Sequence, residues 1–241
     1  MKAHQRIIRE QMAEAPTLLG NWWDEVDTSL DKATVAPITS EKAAQVILEY
    51  EWLGTMPQLV TRCFGFFHDG ILAGACVFAE KPGGNLTSNQ NSVVPSDSLY
   101  LARGACVHWA HPHAASWFIA HVCRALSPCS VLAYSDPEAG EIGTIYQALN
   151  WFYIGPSSGG HTGVWIDGKR INLHSFKRDR DYSVGQGLDE VRKAFPSAKS
   201  IIPIPRKGRY VGVYGPRPYR KPIEKALRAV ALPYPKREVP R

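Results

Sequence analysis

No stretch of this 241-residue chain approaches the run of about 18 uninterrupted apolar residues that a membrane-spanning helix requires, so the sequence offers no membrane segment. Its first residues, MKAHQRIIREQMAEAP, lack the apolar run and small-residue cleavage site of a secretory leader, which points to a cytoplasmic protein. The cysteines are five, an odd number, with no CxxC pair, and each sits alone in an apolar segment. That pattern argues against a disulfide framework or a zinc knuckle and for reduced core residues. Internal repeats and low-complexity tracts are also missing. Acidic residues run out toward the C-terminus: from Lys199 onward there are twelve Lys or Arg and only Glu224 and Glu238, a net +10, against −4 for residues 1–198. A slightly acidic body with a basic last quarter suits a polyanionic partner, nucleic acid above all. A solvated tail with no partner has the same composition.

What the sequence does contain is an alternation of helical and strand signals. Residues 1–33 form a polar extension with an amphipathic stretch at 4–14 and a Trp22-Trp23 pair. Thr39 or Ser40 then caps a helix that runs through Leu48. Residues 63–80 hold two apolar runs around His68-Asp69-Gly70, a hairpin signal, and 81–97 are a polar loop. A strand at 98–110, a helix at 116–126 capped by Ser116, a strand at 131–135, a helix at about 141–149 and a strand at 151–154 complete an α/β alternation with a mixed sheet. Beyond it lie a hairpin signal at Asp167-Gly168 and a helix near 187–195. The basic segment 199–241 mixes Pro, Tyr and Arg, and its prolines limit helix to about 221–230. The expected organisation is thus an extension at 1–33, an α/β domain at 34–198, and a basic segment at 199–241 packed on that domain.

Three places carry side chains with chemical potential. In the strand–turn–helix at 98–126, the small residues Ala114, Ala115 and Ser116 open a helix whose first amides suit a pyrophosphate, with Arg103 adding a positive charge on the strand; many α/β junctions look the same without binding anything. In YSDPEAGEIGTIYQALN, Asp136 and Glu141 sit where a strand hands over to a helix. They serve there either as turn caps and first-turn carboxylates, with Glu138 solvated, or as base or metal ligands beside Tyr146. In EYEWLGTMP, Glu51 follows a helix end at a Gly turn, with Trp52 as core anchor in the plainer reading.

EYEWLGTMP, LARGACV, SWFIAHVCRAL, YSDPEAGEIGTIYQALNWFYIG, RKGRYV and LPYPK together, in this order over residues 45 to 237, resemble the Mom family of bacteriophage DNA-modification proteins. The resemblance implies a fold of the GNAT acyltransferase superfamily: a mixed central β-sheet flanked by helices and splayed around a cleft for an acyl-CoA-type donor. It implies a transferase that adds a small acyl or carbamoyl-type group to the N6 amine of adenine in phage DNA, shielding that DNA from host restriction, inside the infected cell. Glu51, Asp136 and Tyr146 then fall in the catalytic role, and Arg103 with Ala114, Ala115 and Ser116 in donor binding. Family members also carry a proposed iron. Here the sequence departs: where relatives read HYLG and GHxGTIYQA, two histidines are replaced by Glu51 and Glu141. Glu51, Asp136 and Glu141 form either an all-oxygen site for iron or another divalent metal, or a metal-free acid–base cluster in which one pKa rises. Lys207, Arg209, Lys236 and Arg237 are the expected DNA phosphate contacts. The rival functions are a GNAT enzyme on a small amine or protein, and a DNA-binding protein that has lost catalysis.

Overall fold

The computed structural model describes residues 4–14, 21–81, 93–157, 161–166, 169–172 and 188–237. In chain order the elements are α1 (His4–Glu14), β1 (Thr34–Pro37), α2 (Ser40–Tyr50), β2 (Val60–His68), β3 (Ile71–Ala79), β4 (Leu99–Cys106), α3 (Ala114–Ala125), β5 (Cys129–Ser135), α4 (Thr144–Ala148), β6 (Phe152–Pro156), β7 (His161–Ile166), β8 (Lys169–Asn172), α5 (Leu188–Ala194), β9 (Ile201–Ile204), β10 (Gly208–Tyr214) and α6 (Arg217–Val230). Seven strands make one mixed sheet in the order β1-β2-β3-β4-β5-β10-β6, and β8-β7-β9 make a second. The α/β class and the mixed sheet flanked by helices are as the sequence implies. Asp167-Gly168, the expected turn between β7 and β8, lies outside the described residues, as does most of the 81–97 loop.

Local chemistry explains the first half. Thr39 caps α2 by accepting the Lys42 amide at 3.3 Å, and α2 buries Ala43, Val46, Ile47 and Tyr50. The β2–β3 hairpin closes at Asp69-Gly70, both with positive φ (48° and 77°), the pair of values a two-residue turn requires. All five cysteines are buried and unpaired.

The last quarter is not an appendage. β10 lies inside the main sheet, antiparallel to β5 along its whole length, with Gly208 opposite Ser135 and Tyr214 opposite Cys129. Its alternation faces Tyr210 into the main core and Val211 toward a second cluster with Leu132, Ile154 and Leu227; burying each such aliphatic contributes about 1.5–3 kcal/mol. The helix expected at about 221–230 starts earlier, at Arg217. Pro218 falls in the first turn, where the missing N–H is unneeded, and Pro222 forfeits one bond in a helix held down by Ile223 and Leu227.

The position of the cleft follows from one irregularity. β4 and β5 are parallel neighbours, yet they pair only from Leu99–Leu101 against Val131–Ala133. The β3–β4 register slips between Val77, opposite Arg103, and Phe78, opposite Leu101, so Ala102 is bulged out. A bulge bends its strand, and here the pairing with β5 ends where the bulge begins. The carboxyl ends of the two strands diverge, which in an open α/β sheet is where ligands collect.

Candidate active site

Three segments bring side chains to that opening. The first is the turn after α2. Glu51 is its C-cap; its carboxylate accepts the Leu53 amide at 2.8 Å while its carbonyl accepts from Gly54 at 3.0 Å, with Gly54 at φ 54°. Arg103, just past the bulge, locks this turn in place: Nε donates to the Thr55 carbonyl at 2.8 Å, Nη2 to Thr55 Oγ1 at 3.2 Å, and Nη1 to its own neighbour Ala102 at 2.7 Å. Glu51 Oε2 stands 3.8 Å from Arg103 Nε. Burial nevertheless raises the Glu51 pKa, the guanidinium only partly opposing it. Arg103, expected to hold the donor, here hydrogen-bonds the turn that carries Glu51. Trp52 is not a core anchor; it stays 37% exposed at the mouth of this turn.

The second segment is the handover after β5. Asp136 caps a single 3-10 turn (Pro137–Ala139), its Oδ1 accepting the Glu138 amide at 3.0 Å, and its other oxygen meets Lys207 Nζ at 2.9 Å. The turn-cap reading is therefore correct, and the carboxylate is also charge-paired inside the cleft. Glu138 is half-buried rather than solvated. Glu141 precedes α4 rather than lying in its first turn; its amide donates to the Asp136 carbonyl at 3.1 Å. Burial pushes the Glu141 carboxyl up to about 7, the charges of Glu51 and Asp136 add to the rise, and an Asp136 amide and Lys207 oppose it.

The third is α4 itself. Tyr146 stacks on Trp151 (centroids 5.1 Å, 20°) and leans on Tyr210 (5.2 Å). Burial and the nearby Glu141 charge hold its phenol well above the usual tyrosine range, so it stays neutral and can offer a hydrogen bond. Gly143 opens the helix in the left-handed region (φ 73°), where any Cβ would sit 2.4 Å from the Tyr210 ring. Gln147 then ties the C-terminal strap down, donating to Ile142 (2.7 Å) and Pro235 (3.3 Å) carbonyls, while Tyr234 Oη donates to the Trp151 carbonyl at 2.8 Å. The GTIYQALNWFYIG and LPYPK motifs are therefore one packing unit.

Glu51, Arg103, Asp136, Glu141 and Tyr146 thus come together, joined by two residues the sequence reading did not place there. Lys207, expected on DNA phosphates, is the counter-ion of Asp136. Tyr100 stands edge-on to Tyr134 (5.9 Å) where the strands part and shares the field of Glu51 and Arg103. Lys207 lies within the RKGRYV motif, which was the available signal; Tyr100 had none.

Other expectations are corrected. Arg209 is 4% exposed, its guanidinium donating to the Ile154 (2.9 Å) and Gly155 (3.3 Å) carbonyls, so it joins strands and is enclosed rather than presented on the surface. Lys236 and Arg237 are exposed. Ser116 is not the cap of α3: the helix starts at Ala114 and Ser116 Oγ donates back to the His113 carbonyl at 3.2 Å. Ala114 is fully buried, Ala115 and Ser116 partly so. The carboxylate-rich metal site does not form. Among the described residues no group of three or more His, Cys, Asp or Glu is placed to hold a metal ion, because Asp136 is turned to Lys207 and Glu51 to Leu53 and Arg103. Among the same residues no helix is long and apolar enough to cross a membrane.

No curated protein matches this sequence. Among solved structures, an N-acetyltransferase from Staphylococcus aureus Mu50 aligns with 75% of this chain and 98% of its own, at 12% identity and a TM-score of 0.39. The Mom protein family matches residues 32–236, and the chain belongs to that family.

Proposed function

We propose that this protein is a transferase that modifies DNA, attaching a small acyl or carbamoyl-type group to the exocyclic N6 amine of adenine and so shielding phage DNA from restriction. The observation that carries the reading is the convergence of Glu51, Asp136, Glu141, Tyr146 and Lys207 at the open end of β4 and β5 in a chain of the Mom family.

The adenine amine is a poor nucleophile because its lone pair is delocalised into the ring. It needs a held donor and a base that accepts its proton as the new C–N bond forms. Glu141 fits that base: a carboxyl near pKa 7 is half ionised at neutral pH and strong enough to take the proton. Tyr146, a neutral phenol packed against Trp151 and Tyr210, would offer a hydrogen bond to the departing group, which leaves as its anion and takes a proton from water. Asp136 and Lys207 neutralise each other and keep the turn in shape. The amine lies inside a duplex, so the base must be flipped out or presented single-stranded.

The uncapped N-terminus of α3 fits a CoA-type pyrophosphate, since His113 offers no side-chain cap there and Ala115 and Ser116 are small. An acyl-CoA-type donor would supply the activated carbonyl. The residues do not fit iron, and no step runs through a metal.

Restriction digestion tests the reading. Plasmid from bacteria expressing the protein should resist enzymes whose sites contain adenine and remain open to enzymes whose sites lack it. Full cleavage by both sets, with soluble protein present, contradicts it.

A further inference from the structure

α6 is divided cleanly by charge. Its five cations, Arg217, Arg220, Lys221, Lys225 and Arg228, and its single acid, Glu224, all fall on one arc of the helix. At about 100° per residue that arc spans roughly 140°, and Ile223 and Leu227, on the arc's Arg220 flank, pack into the cluster with Leu132, Ile154 and Val211. All five cations are exposed. Glu224 does not cancel the arc: it holds Arg220 at 3.5 Å and Arg228 at 3.1 Å, orienting two guanidiniums. Lys221 and Lys225 make no ion pair among the described residues.

Beside this arc is a groove. β6 pairs with β10 only as far as Val211, so among the described residues Gly212–Tyr214 has no strand partner on that side. A cavity of about 400 Å³ lies along it, lined by Arg220, Glu224 and Arg228 of α6 and, from the far side, by Arg124 at the end of α3. Arg124, exposed and in the last turn of α3, adds a second element to the same basic surface.

The arc is aimed. α6 begins where Gly215 abuts Pro128, at the Cys129 end of β5, and its exit places the Leu232 amide on the Tyr153 carbonyl at 2.8 Å. Tyr153 and Pro156 lead to Gly208, opposite Ser135, the end of β5 where the cleft opens. The axis of α6 therefore runs along the sheet from the Cys129 end of β5 toward its Ser135 end. Arg217 to Arg228 covers about 16 Å at 1.5 Å per residue, a length over which a duplex presents about ten phosphate charges.

We infer that the exposed arc of α6, with Arg124 across the groove, is the surface that holds the phosphate backbone of duplex DNA and feeds it to the cleft. The inference rests on the DNA-modification reading. Salt-dependent binding tests it: anisotropy of a fluorescein-labelled 20-base-pair duplex, with the full-length protein, from low to moderate salt. The triple variant Arg124→Gln/Lys221→Gln/Lys225→Gln leaves the Glu224 network intact, and an unchanged thermal melt shows it folded. Three lost phosphate contacts should weaken binding at least tenfold near 0.1 M salt and lower the salt slope by about 2.7, at roughly 0.9 per contact. Lys225→Gln alone should lower it by about one. A triple variant equal to wild type overturns the inference while leaving the DNA reading standing. A wild type with no duplex affinity overturns both. Loss of binding to phosphatidylserine vesicles, with duplex binding intact, overturns it in favour of a lipid surface.

Discussion

Lys207 Nζ lies 2.9 Å from Asp136 Oδ2, tying the residue before β10 to the residue after β5 at the mouth of the cleft. Both side chains are largely enclosed, so losing one leaves the other's charge poorly compensated. Lys207→Met should cost roughly 1–3 kcal/mol in urea unfolding. Adding Asp136→Asn should restore part of it, because asparagine keeps an oxygen for the Glu138 amide without the charge. A double variant no more stable than the additive sum would deny the coupling.

Glu141 gives a pH signature. Its folded pKa of about 7 lies above the ordinary 4.5, so between those values the unfolded chain ionises while the folded one stays protonated. Stability from this group is full below about pH 4.5 and falls until about pH 7. At about 1.4 kcal/mol per unit the loss is on the order of 3 kcal/mol. Glu141→Gln should match the wild type near pH 5, exceed it near pH 8 by up to that amount, and lack activity at both. Wild-type turnover should climb to a plateau above about pH 7. Parallel stability curves for the two proteins would remove the buried-carboxyl assignment.

How far the sequence could anticipate this depends on the range of the determining contacts. The Asp69-Gly70 hairpin and the Thr39 cap are fixed by neighbours in the chain, and both were legible. β10 was not, because its partners β5 and β6 are remote in sequence and prolines precede it. Charge counting sent Lys207 and Arg209 to the surface. Yet in Gly208–Tyr214 the residues Arg209, Val211 and Val213 alternate onto one face, and Val211 and Val213 join the cluster under α6. That alternation was the overlooked sign of a buried guanidinium. The convergence of Glu51 with Asp136 and Glu141 came from motif order, while the bulge at Ala102 that opens the cleft has no signal of its own.

The Arg209 assignment can be checked directly. Arg209→Met leaves the Ile154 and Gly155 carbonyls without their charged donor and should destabilise the protein by roughly 2–4 kcal/mol. Below its melting temperature the variant should keep the wild-type salt slope on DNA. A lower slope with unchanged stability would return Arg209 to the DNA interface.

Gly143 is a position for glycine alone. Alanine there would occupy a left-handed conformation and drive its Cβ to 2.4 Å from the Tyr210 ring. The expected cost is roughly 2–4 kcal/mol, seen as a lowered denaturation midpoint with unchanged m. Since Tyr210 supports Tyr146, DNA modification should fall as well. A neutral Gly143→Ala would mean that α4 enters the site differently.

Mass spectrometry of nucleosides from the DNA of expressing bacteria, compared with cells expressing Glu141→Gln, tests the central claim most directly. The account predicts a nucleoside heavier than deoxyadenosine with the wild type, its added mass identifying the transferred group, and none with the variant. Unaltered nucleosides from cells making soluble wild-type protein, or equal modification by Glu141→Gln, would contradict it.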